Sequence, residues 1–109
     1  MIRVFIRTDV KTGDIVFKAK GHALSAVKGE DLVCAAASAF VNQLAEAVKG
    51  FDKSGWLTKA AKIKLEDGKA SIVYHPQERY RSTIEYITMM TATGFDWLQK
   101  EYPEYVKLN

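Results

Sequence analysis

Asp67-Gly68 separates two short runs of strand-forming residues, at about 60–66 and 69–75. An Asp-Gly pair in that setting is among the strongest short signals of a β-hairpin, because its positive φ angles match the right-handed twist of the flanking strands. A chain with that hairpin near its middle has to arrange its remaining apolar residues around a small antiparallel sheet. A second pair of runs stands near the start. Residues 2–8 put Ile2, Val4 and Ile6 on one side and Arg3, Phe5 and Arg7 on the other, the alternation of a half-buried strand. Lys11-Thr-Gly-Asp14 supplies a turn, with Gly13 providing the positive φ, and another strand follows at about 15–21.

Each hairpin is followed by a stretch of helical period. The first helix is predicted from near Asp31 to about Lys49, with Gly50 as its C-cap. Its run Ala35-Ala-Ala-Ser-Ala39 lets it approach the sheet closely, and Phe40, Leu44 and Val48 continue its apolar stripe. The second helix is predicted over roughly 79–101, ended by Pro103, with a main stripe of Tyr80, Ile84, Ile87, Thr91, Phe95 and Leu98. A second stripe, Tyr86, Met90 and Trp97, is more apolar than a solvated face needs, which points to a partner, most simply another copy of the chain. Residues 22–30 have no period and are bracketed by Gly21 and Gly29, so they read as a loop able to move about those two glycines. The expected fold is α+β: one ββαββα domain over 1–109, a four-stranded, mostly antiparallel sheet with two helices packed on it.

Composition agrees with one globular domain. Of 109 residues, 48% are hydrophobic and 27% charged, enough to bury a core without disulfide staples. No apolar run approaches the ~20 residues of a membrane helix. The alternating start does not read as a signal peptide. The formal charge of +3 is spread over 16 Lys and Arg and 13 Asp and Glu with no block of like charge, so composition alone does not make a nucleic-acid-binding protein. The single cysteine, Cys34, cannot form an internal disulfide and points to a reducing, cytoplasmic setting. It also excludes zinc sites that need two or more cysteines of one chain.

Cys34 is the residue on which chemistry turns. In an alanine-rich helix it can be a small buried hydrophobe. With Asp31 as N-cap, it instead stands in the first turn, where unpaired N–H groups favour the thiolate and can stabilise an oxyanion. Two histidines are available as base. His22 ends the second strand and opens the loop leading to Cys34, so the two can meet in a β-loop-α unit and share a proton. His75 precedes Pro76, has no sequence link to Cys34, and reads better as a surface histidine before a turn. Asp31 has two readings, as helix cap and as a residue orienting His22. Ser38, one turn after Cys34, either lines the site or merely permits close packing.

The segment Gly21-His22-Ala23, then a short loop ending in Gly29, then Asp31-Leu-Val-Cys34-Ala-Ala-Ala-Ser38, resembles the signature of the ribosomal-processing cysteine protease family, Prp. The resemblance covers the length of the chain and its element order. It implies a cytoplasmic, homodimeric protease with His22 as base and Cys34 as nucleophile, and no metal or organic cofactor. Its substrate would be the N-terminal extension of large-subunit ribosomal protein number twenty-seven, and neither membrane nor nucleic acid would be required. Two departures concern the loop and the helix. Leu24-Ser-Ala-Val27 stands where the family often has an aromatic residue, and Ala37 where it often has a branched one. A rival reading is a non-enzymatic ribosome- or RNA-associated module that uses strand lysines such as Lys18, Lys20, Lys62 and Lys64 with Tyr74; a solvated strand face explains those lysines more simply.

Overall fold

The alternating runs form strands, and their parity decides which face is buried. The structure, a computed structural model, describes residues 1–21 and 28–109, with side chains described for 1–21 and 32–109. Strands β1 (Ile2–Thr8) and β2 (Ile15–Lys20) precede helix α1 (Lys28–Lys53); β3 (Lys62–Glu66) and β4 (Lys69–Tyr74) precede α2 (Arg81–Glu101), and β5 (Val106–Leu108) follows. The sheet order is β3-β4-β2-β1-β5. All pairings are antiparallel except β1 with β5, which is parallel. The α+β expectation holds. The strand count is corrected from four to five, because β5 lies beyond Pro103 and adds an edge. Ile2 donates to the Tyr105 carbonyl at 2.7 Å and Asn109 to the Val4 carbonyl at 2.9 Å, which ties this last strand to the first.

On one parity of the strands Val4, Ile15, Phe17, Ile72 and Tyr74 are fully buried beneath the helices. From α1 come Val33, Ala37, Leu44 and Val48; from α2 come Ile84, Thr91, Phe95 and Leu98. Phe95 is central, with ring centroids 5.8 Å from Phe17 and 5.5 Å from Phe40. A Cβ at Gly94 would stand 3.0 Å from the Phe40 ring, so its absence lets the two helices meet closely.

Tyr74 buries its hydroxyl against Thr88, at 2.6 Å, and Thr88 donates to the Ile84 carbonyl at 2.9 Å. With the Thr88 proton committed, Tyr74 is the donor. Burial pushes the Tyr74 hydroxyl up to about 12, with the Thr88 contact opposing. The unfolded chain releases this proton near 10 and the folded chain keeps it to about 12. The contribution is thus fully present below pH 10 and is lost as pH rises between those values. Urea titrations of wild type and Tyr74→Phe across that window should differ in slope, by on the order of 2 kcal/mol in total. Equal slopes would contradict the buried, protonated Tyr74.

The boundaries of α1 differ from expectation at both ends. It runs through Gly50, where nothing lies within 4 Å of an added Cβ, and stops around Gly55, φ +75°. The Trp56 amide bonds the Phe51 carbonyl at 2.9 Å and the Gly55 amide bonds Asp52 at 3.1 Å, the paired bonds of a Schellman motif. Its usual apolar contact is the Phe51–Trp56 stack, and Trp56 in turn stacks on Tyr80 with centroids 4.8 Å apart. At the other end α1 starts at Lys28. The loop expected to reach residue 30 therefore gives way to helix three residues sooner: Lys28 and Glu30 are good helix formers, and one glycine between them costs only about 1 kcal/mol. Glu78–Tyr80 form a 3-10 turn ahead of α2. No helix among the described residues is long and apolar enough to cross a membrane.

Candidate active site

Short side chains leave a depression at one end of the sheet. There Cys34 and Ser38, one turn apart on α1, face Gly21 at the end of β2 and the β3–β4 turn at Asp67-Gly68, around a cavity of about 200 Å3. Ala19, Ala37 and Ala70 keep it open, and Ile2, Val41 and Phe95 give it an apolar floor. Cys34 is half-buried and packs against the core. The Asn42 side-chain amide donates to the Ser38 carbonyl at 2.8 Å, holding a second polar group on the same wall.

Gly21 is built into this end of the fold. Its amide donates to the Gly68 carbonyl at 2.9 Å. Its φ is +107°, and a Cβ there would collide with the Met1 carbonyl. Both features select glycine. The residue that directly follows, His22, lies outside the described residues, as does the rest of 22–27 and the side chain of Asp31. Cys34 and Ser38 are thus brought to a groove whose next wall is the residue preceding His22.

The earlier start of α1 changes two expectations. Gly29 and Asp31 stand inside the helix rather than at a loop end and an N-cap. The amides that a helix leaves without intrahelical partners are confined to its first turn, which now begins at Lys28, six residues before Cys34. The oxyanion donors expected beside Cys34 are therefore not supplied by its own amide in this arrangement.

His75 is taken up elsewhere. Its Nδ1 lies 3.0 Å from Asp14 Oδ1. Lys69 and Ala70 line the groove, while His75 follows Tyr74 at the other end of β4, about 17 Å away at strand rise. That separation removes it as a partner for Cys34.

Sequence reasoning did not find Glu66, Asp67 and Gly68 as groove residues. The hairpin signal locates a turn but not the helix it will face. Only the pairing of β4 with β2, Ala70 opposite Ala19 and Lys69 opposite Lys20, carries that turn to Gly21 and α1.

The sequence matches the model of a protein family described as cysteine protease Prp over residues 1–107. No curated protein matches it. Among solved structures it is similar to an essential ribosomal processing protease Prp from S. aureus in complex with a substrate peptide: 23% identity, TM-score 0.72, covering 100% of this chain and 98% of that one. The S. aureus Prp with a covalently linked product peptide gives 24% identity and a TM-score of 0.70, with the same coverage. A protein from Streptococcus mutans gives 22% and 0.71, covering 100% of this chain and 92% of that one. At such identities the structural likeness is one of fold.

Proposed function

Because the chain belongs to the cysteine protease Prp family, we propose that Cys34 is its nucleophile, that His22 is its base, and that it removes the N-terminal extension of a large-subunit ribosomal protein, number twenty-seven, during ribosome maturation. The observation that carries this reading is the groove that Cys34 lines together with Gly21, the residue before His22. The solved relative described as a ribosomal processing protease with a substrate peptide supports the substrate class. So does the rim of the groove, where Glu66 and Asp67 outnumber Lys69 and favour a basic segment such as ribosomal proteins carry.

In the proposed reaction His22 takes the Cys34 proton and the thiolate attacks the scissile carbonyl. The tetrahedral intermediate collapses, the C–N bond breaks, and the imidazolium returns its proton to the leaving amine. His22 then takes a proton from water, whose oxygen attacks the thioester, and Cys34 leaves as thiolate and is reprotonated. Ser38 lines the groove one turn beyond the sulfur. No cofactor enters these steps. A lone thiol in this role fits the cytoplasm, where it stays reduced.

The test is to incubate the protein with the unprocessed ribosomal protein and weigh the products. One defined N-terminal peptide and the shortened protein are expected. An intact ribosomal protein, beside a wild-type enzyme that cleaves other peptides, would remove this substrate.

The enzyme acts as a homodimer in this proposal. On α2 the side chains of Tyr86, Met89, Met90 and Trp97 are 69%, 56%, 71% and 53% exposed, an apolar stripe one helix face wide. Light scattering should find a dimer, and Met90→Glu with Trp97→Glu should shift it to monomer, since each places an unpaired charge in the stripe that dimerisation would bury. A double variant still dimeric at the same concentration would exclude this face.

A further inference from the structure

The sheet face turned away from the helices carries a lattice of cations. Strand register sets it out in rows. Lys69 stands opposite Lys20, Lys20 opposite Arg3, and Arg3 opposite Lys107, so one row crosses four strands without an acid. Glu66, opposite Lys69, ends that row on β3. In the next row Lys64 and Lys18 flank Ser71, and Phe5 faces Lys18. Lys62 and Arg7 lie at the ends of the third, beyond Val73 and Val16. All eight cations are exposed. None takes part in the ion pairs found among the described residues. Half of the chain's 16 Lys and Arg are on this one face, although the whole chain has a formal charge of only +3. Glu66 is the one acid within the strand rows, while Asp9, near enough to Arg7 to feel its charge, and Asp14 lie just past the strand ends away from the groove.

Like charges directly opposite each other on paired strands are destabilising. A solvated face gains nothing from them, since alternating signs would solvate it as well. A face that meets a polyanion does gain, because each cation set against a phosphate releases a condensed counterion. The charged row lies at the groove end of the sheet: Lys69 lines the groove, and Lys20 precedes Gly21. We propose that this open sheet face binds RNA through its phosphate backbone, which would seat the enzyme on RNA beside the groove that holds Cys34. The face is poor in apolar side chains able to enter a bilayer. Phe5, 37% exposed, is its large hydrophobic residue, which argues for RNA over an anionic membrane.

The probes are a short fluorescein-labelled RNA duplex and vesicles of phosphatidylserine with phosphatidylcholine. The duplex should bind, with affinity falling about 500-fold between 50 and 200 mM salt, the dependence of roughly five phosphate contacts. The variant Arg3→Gln/Lys18→Gln/Lys20→Gln should weaken binding at least tenfold at low salt and flatten the log–log salt slope by about 2 to 3. The control variant Lys49→Gln/Lys53→Gln/Lys59→Gln removes equal charge from exposed positions off this face and should leave both unchanged. Every one of the six side chains is exposed, so both variants should fold, which circular dichroism checks. Binding by Cys34→Ala should match wild type, so failure of RNA binding and failure of proteolysis are read separately. Equal weakening by the two triple variants, absence of RNA binding at low salt, or vesicle binding without RNA binding would each overturn the proposal.

Discussion

Replacing Cys34 by serine is expected to lower cleavage of the ribosomal substrate by at least about 10^4-fold, and His22→Ala by a comparable factor. The two groups act as one unit in the proposed mechanism. The histidine has no thiol proton to take once the cysteine is gone, and the thiol has no base once the histidine is gone. The double variant should therefore be no slower than the worse single variant, whereas independent contributions would multiply. Serine in place of Cys34 is a near-isosteric change at a half-buried position, so the melting temperature should move by only a few degrees and the lost rate cannot be ascribed to unfolding. A Cys34→Ser protein that retains a tenth of the activity would exclude Cys34 as nucleophile. Multiplicative losses would exclude a shared proton.

The second large effect is expected at Gly21. A side chain there meets both an unfavourable backbone region, φ +107°, and the Met1 carbonyl. Gly55 separates the two costs, since its φ is +75° with nothing within 4 Å of an added Cβ. Gly55→Ala should cost about 1 kcal/mol for backbone conformation alone. Gly21→Ala should cost about 3 kcal/mol, lowering the melting temperature of a domain this size by about 12–20 °C. Because Gly21 also bonds the Gly68 carbonyl and precedes His22, Gly21→Ala should reduce kcat even at a temperature where the variant remains folded. Equal destabilisation by the two variants would show that the approach of Met1 does not constrain Gly21.

Local chemistry made much of the fold legible. The parity of Ile2 and Val4 against Arg3 and Phe5 gave β1 its buried face. Gly13 and Gly68 take the positive φ values their turns need, 76° and 73°. The choice between Gly50 and Gly55 as the end of α1 was not local. It rests on Trp56 stacking between Phe51 and Tyr80, a contact made by residues far apart in sequence. Val106–Leu108 is too short to show a period, and its parallel partner is at the opposite end of the chain. The groove followed the same division. Cys34 and Ser38 were readable from helical spacing and from their likeness to a known signature. The acidic turn facing them depended on strand order. The basic face was the least legible part, because scattered lysines become rows only once register is known.

Mass spectrometry of the enzyme during a single turnover tests the central claim most directly. Attack by Cys34 leaves the N-terminal side of the cleaved bond joined to the sulfur as a thioester. Rapid acid quenching of enzyme mixed with the unprocessed ribosomal protein should show an adduct equal in mass to the released extension less one water. Digestion should map it to Cys34, and the Cys34→Ser protein should neither cleave nor carry it. An adduct on another residue, or cleavage by the Cys34→Ser protein, would contradict the assignment of Cys34 as the nucleophile.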